Sequence, residues 1–160
     1  MNRKQEIHFH YVALCLYLNW GIIMAQFYLL SIVSTVLTGL VLSGDYLGSR
    51  LHFLATFRSG LEHRGAAVAL GVVTALAGVF KLIIRSPGET VPVAGDLLPA
   101  LAGIGLGVAL FLEAAMRRPN PTESKVDRSA KAVLSYRVPL GLAGMAVALL
   151  HFLFPGVVIL

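Results

Sequence analysis

Residues 7–44 read IHFHYVALCLYLNWGIIMAQFYLLSIVSTVLTGLVLSG, 38 residues without an Asp, Glu, Lys or Arg. A transmembrane helix needs only about 20 consecutive apolar residues to cross the hydrocarbon core. Three more uncharged stretches follow: Gly65–Phe80, Leu97–Leu112 and Val138–Leu160. The pattern predicts an all-α integral membrane protein, a bundle of four transmembrane helices at approximately 22–42, 65–84, 97–116 and 133–154. With 160 residues in all, the spans leave no room for a soluble domain, so 1–160 reads as a single membrane domain.

Composition agrees. Hydrophobic residues make up 57% of the chain and charged ones 13%, against about 25% charged in soluble proteins. The net charge of +5 does not point to nucleic acid, because no basic run alternates with aromatics as a binding face requires. Basic loops beside spans fit anionic lipid and topology instead. Cys15 is the single cysteine, which excludes an internal disulfide and any paired-cysteine redox or zinc site.

The first apolar segment, Tyr11–Leu42, is too long for one crossing of about 30 Å. Trp20 favours the headgroup level and Gly21 weakens a helix. Asn19-Trp20-Gly21 therefore reads as the junction between an interfacial N-terminal extension and the first span. Ser86-Pro87-Gly88 stops the second span. Asp96 is placed to cap the third, with Pro99 in its first turn, and Glu113 and Arg117 form an i,i+4 pair near its end. After Pro119-Asn120-Pro121, an amphipathic helix from Glu123 leads into the fourth span, where Pro139 predicts a kink.

Loops one and three hold nine Lys and Arg residues (50, 58, 64, 117, 118, 125, 128, 131 and 137), against four in the N-terminal tail and loop two (3, 4, 81 and 85). The positive-inside rule then puts loops one and three in the cytoplasm and both termini outside.

Small residues recur where helices should meet: Gly71, Ala75 and Gly78 in the second span, Gly103 and Gly107 in the third, and Gly141, Gly144 and Ala148 in the fourth. Such residues let backbones approach closely in lipid.

Candidate chemistry is sparse. Read as a helix, loop one places Asp45, Ser49, His52 and Thr56 on one face opposite a broad apolar side, an interfacial amphipathic helix. It also supplies lipid- or anion-binding candidates: Asp45, with Arg50 and Arg58 as clamps and His52 as acid or base. The Asp45-to-Arg50 spacing matches the opening of the CDP-alcohol phosphotransferase motif. Tyr46 stands where that family has Gly, and the later acids have other spacings, so the chain is not read as a member. Lipoprotein signal peptidases, small multidrug exporters and four-helix disulfide oxidoreductases need acids or cysteine pairs that this chain does not place in its spans. His8 and His10 form only an HxH pair, and no metal or other cofactor is expected. His151 is expected to bond a neighbouring helix carbonyl, and Lys81 to snorkel from the end of its span.

In the first helix Cys15, Asn19 and Gln26 share a face, which suits a pore lining or a contact with another subunit. Small-residue surface without a catalytic constellation points away from an enzyme. It points towards a membrane subunit, in a homo-oligomer or with a partner protein, surrounded by membrane lipids. The alternatives are an oligomeric passive channel or facilitator, and a lipid-headgroup-binding or lipid-processing protein acting through loop one.

Overall fold

The structure is a computed structural model that describes residues 3–50, 59–60, 63–83, 97–117 and 125–154. Among these residues every element is helical: α1 (Arg3–Leu42), α2 (Gly44–Gly48), α3 (Arg64–Ile83), α4 (Leu97–Met116), α5 (Lys125–Ser135) and α6 (Arg137–Leu153). Two compact units divide the chain, Met1–Leu30 and Ser31–Leu160. Three helical stretches are long and apolar enough to cross a membrane: Asn19–Leu42, Arg64–Ile83 and Leu97–Met116. The apolar α6 is shorter, at 17 residues.

The helix α1 passes through Asn19-Trp20-Gly21 without interruption. A glycine inside a helix costs about 1 kcal/mol relative to Ala, too little on its own to end a helix of this length. At the other end of the chain, the bend expected at Pro139 is instead a break before it. Had α5 continued, the ring of Pro139 would have met the carbonyl four residues back, that of Ser135. Ser135 is the last residue of α5, and Tyr136 leaves the helical region with φ −101° and ψ 15°. Pro139 then lies in the first turn of α6, where amides have no intrahelical acceptor and its missing N–H costs nothing.

Within the second unit, α3 and α4 approach through backbone. A Cβ on Gly107 would lie 2.5 Å from the Ala75 nitrogen and 2.6 Å from the Gly71 oxygen. One on Gly78 would lie 2.7 Å from the Ala100 oxygen, and Gly103 packs over the Gly78 Cα. A second crossing joins α1 to α6, where a Cβ on Gly141 would lie 2.6 Å from the Gly39 oxygen. Gly144 makes room for the Leu106 side chain between α6 and α4.

Polar groups line the inside. Ser31, Ser34, Thr35, Thr38, Ser43 and Thr74 are all buried. Thr38 Oγ1 and Thr74 Oγ1 share a hydrogen bond of 2.7 Å between α1 and α3, and Thr74 also reaches the carbonyl oxygens of Leu70 (2.8 Å) and Ser34 (3.2 Å). Thr35 and Ser43 bond back to carbonyls four residues earlier, those of Ser31 and Gly39, at 2.6 Å each. Spacings of three and four put the hydroxyls of Ser31, Ser34, Thr35 and Thr38 on one side of α1, and Ser43 lies just past its end.

Gly107 and Gly105 lie two residues apart, and only Gly107 faces backbone; Gly105 has nothing within 4 Å of its Cβ position. We expect Gly107→Ala to destabilise the protein by about 1–3 kcal/mol through overpacking. Gly105→Ala should leave stability unchanged or raise it by up to about 1 kcal/mol through helix propensity. Thermal unfolding of the two purified variants checks the opposite signs.

Candidate functional site

Charge gathers at one end of the second unit. Arg137 opens α6 directly after the break that Pro139 imposes. Its Nη1 donates to Glu113 Oε1 at 3.1 Å, while its Nη2 donates to Asp45 Oδ2 on α2. Arg117, one turn after Glu113, donates to the same Oε1 at 2.7 Å. One guanidinium thus ties α2, α4 and α6 together. The Glu113 side chain is 9% exposed, and its second oxygen, Oε2, is buried without a hydrogen-bond partner. A carboxylate buried this deeply needs nearby cations, and two arginines supply them.

The opposite helix ends carry a second polar group. Lys81 Nζ, in the last turn of α3, lies 3.1 Å from His151 Nε2 in the last turn of α6. A lysine ammonium donates to Nε2 when that nitrogen carries no proton. Beside the pair is a cavity of about 10 Å³ lined by Ser31, Thr35, Gly78, Lys81, Pro99 and Ala148, room for about one water. Lys81 and His151 were expected to act separately, one snorkelling and the other bonding a carbonyl. They meet because α3 and α6 end at the same level.

The residues singled out from sequence are dispersed. Asp45 is held by Arg137, whereas Arg50 is exposed at the end of the turn after α2. His52 and Arg58 lie outside the described residues. In loop one α2 covers Gly44–Gly48, where Asp45 meets Arg137 from the start of α6, and most of the expected amphipathic helix lies outside the described residues. In the first unit, Asn19 and Gln26 are both exposed, seven residues apart on α1. Gly71, Gly78, Gly103 and Gly107 lie at the α3–α4 contact, Gly141 at α1–α6 and Gly144 at α4–α6.

The hydroxyl face of Ser31, Ser34, Thr35 and Thr38 is legible in its spacing. The roles of Arg137 and Lys81 depend on partners 24 and 70 residues away and leave no local signal.

The charged end yields its own test. Replacing Arg137 with Gln removes charge-assisted bonds to two carboxylates, each worth about 1.5–3 kcal/mol at most. Because Arg137 is 35% exposed, we expect a total loss of about 1–3 kcal/mol, and a smaller loss for Arg117→Gln. Chemical or thermal unfolding of the two variants gives the order.

A protein-family model matches residues 24–151 of the chain. A protein of Treponema pallidum (strain Nichols), described as "Uncharacterized protein", is 33% identical over 140 residues, covering 82% of this chain and 95% of the relative. No solved structure matches. The matched region contains Asp45, Lys81, Glu113, Arg117, Arg137 and His151, the residues at both polar ends of the helices. The chain belongs to the family that this model describes over residues 24–151.

Proposed function

We propose that this chain is a four-span integral membrane protein that serves as a non-enzymatic subunit of a membrane assembly, formed with its own copies or with another protein. One observation carries the membrane reading: the usual distribution of residue types is inverted. Ser31, Ser34, Thr35, Thr38 and Thr74 are buried, while Leu76, Phe80, Leu101, Phe111, Leu149 and Phe152 are exposed. In water the large apolar side chains would be the ones inside. In a bilayer the same surface faces hydrocarbon, and the small and hydroxylated residues are the ones that pack helix to helix.

The fourth span is α6. At about 1.5 Å per residue its 17 residues cover roughly 25 Å, short of the hydrocarbon thickness by an amount that local thinning accommodates. Its ends support the crossing. Arg137 meets Asp45 and Glu113, just past the end of α1 and near the end of α4, whereas His151 meets Lys81 at the end of α3. Such contacts suit four antiparallel crossings, with loops one and three on one side. The excess of Lys and Arg in those loops makes that side cytoplasmic and leaves both termini outside.

The assembly half of the reading rests on α1. Asn19 and Gln26 expose carboxamides on one face of a stretch whose other exposed residues include Trp20, Ile22, Ile23 and Phe27. An amide in lipid seeks a hydrogen-bonding partner on another helix. That contact can come from a second copy or from a different subunit.

Native mass spectrometry of the protein released gently from its own membrane is the test. A homo-oligomer or a fixed-ratio complex is expected. Asn19→Leu combined with Gln26→Leu should weaken it by roughly fivefold per amide, from about 1 kcal/mol each. A wild-type protein released only as a monomer would overturn the assembly reading. Solute flux that disappears in the double variant while the oligomer survives would favour a channel instead.

A further inference from the structure

The break at Tyr136 frees α5 to take a direction of its own, and its surface has two distinct sides. Ala130 is buried, at 3% exposure, where α5 packs against α4 and α6. Arg128 and Lys131 are exposed, and so are the apolar Val133 and the adjoining Tyr136, the latter at 66%. From 125 to 137 the sequence holds four cations, Lys125, Arg128, Lys131 and Arg137, against one carboxylate, Asp127. Arg137 is already committed to Asp45 and Glu113. The remaining charge on α5 is therefore positive.

An exposed tyrosine beside exposed cations, at the point where an apolar helix begins, is the composition of a headgroup layer. Tyr seats its ring at that depth and leaves its hydroxyl wet, while lysine and arginine attract anionic phosphates. An acidic protein surface would match the charge but would leave Val133 and Tyr136 without apolar cover. We propose that α5 and Tyr136 form an interfacial helix lying in the headgroup layer, and that Arg128 and Lys131 bind the phosphates of anionic lipids there. The residues of this surface are distinct from those of loop one, and the inference rests on the four-span reading of the chain.

Lipid quenching in proteoliposomes tests it with the full chain. Trp20, the single tryptophan, is replaced with Phe, and a reporter is introduced by Tyr136→Trp or, on the exposed face of α4, by Leu101→Trp. Brominated phosphatidylglycerol and brominated phosphatidylcholine serve as quenchers. Both lipids should quench the Leu101→Trp reporter alike. The Tyr136→Trp reporter should respond several-fold more to the anionic lipid, with a preference that shrinks at high salt. Adding Arg128→Gln and Lys131→Gln together should remove most of that preference, since each cation near the surface contributes to the attraction, while quenching by the neutral lipid persists. Equal quenching by both lipids at Tyr136→Trp, or a preference that survives the double substitution, would overturn the proposal. No quenching at Tyr136→Trp alongside normal quenching at Leu101→Trp would overturn it too and leave the four-span reading standing. Loss of quenching at Leu101→Trp would remove both.

Discussion

The backbone-to-backbone approach of α3 and α4 is the closest constraint on how the helices of the second unit pack. Gly71, Gly78 and Gly107 leave no room for a Cβ, since the neighbouring backbone atoms stand within 3 Å of where it would be. Two helices this close gain dispersion contacts along their whole shared length. Their spacing also brings Thr74 within reach of Thr38 and of the Ser34 carbonyl on α1. The crossing of α1 and α6 at Gly39 and Gly141 follows the same logic. A larger side chain at either crossing would open the gap and separate the polar groups that depend on it.

Those polar groups are placed by what each can satisfy locally. Hydroxyls are tolerated inside the helices because a serine or threonine can return its hydrogen to a carbonyl one turn back, as Thr35 does and as Ser43 does just past the end of α1. A full charge has no such option and stays near the helix ends. Glu113 is the exception in depth, and it is the carboxylate that two arginines surround. Removing one partner of a buried pair costs more than the pair contributes, so the cluster holds α2, α4 and α6 together chiefly by penalising separation. At the other ends Lys81 and His151 form a contact between α3 and α6 without a carboxylate in that bond.

The sequence disclosed the three long apolar helices because a charge-free run has few alternatives, and it located α4 well because Pro99 and the Glu113–Arg117 pair are local signals. Pro139 was read correctly as a disturbance and wrongly placed as a kink. The ring acts on the carbonyl four residues earlier, and a helix that can end there does so. On α1, attention went to Asn19 and Gln26, whose amides are conspicuous, while the hydroxyls of Ser31–Ser43 carry the buried interactions. Small hydroxyls escape notice in a hydropathy reading because they barely lower it. Arg137 could not have been singled out. It was one of nine basic residues in two loops, and its partners are set by tertiary placement alone.

That placement gives Arg137 a consequence for α5. The guanidinium is anchored to α2 and α4, and its own backbone begins α6 immediately after Tyr136. The chain between Ser135 and Arg137 is one residue long, and Pro139 keeps α5 and α6 from merging into one helix. The Asp45 contact is the softer of the two anchors, since its side chain is 47% exposed against 9% for Glu113. Water screens the Asp45 contact more than the Glu113 contact, so the buried carboxylate is the stronger of the two anchors. Among the described residues, Arg137 is thus the side chain that links the start of α6 to both α2 and α4.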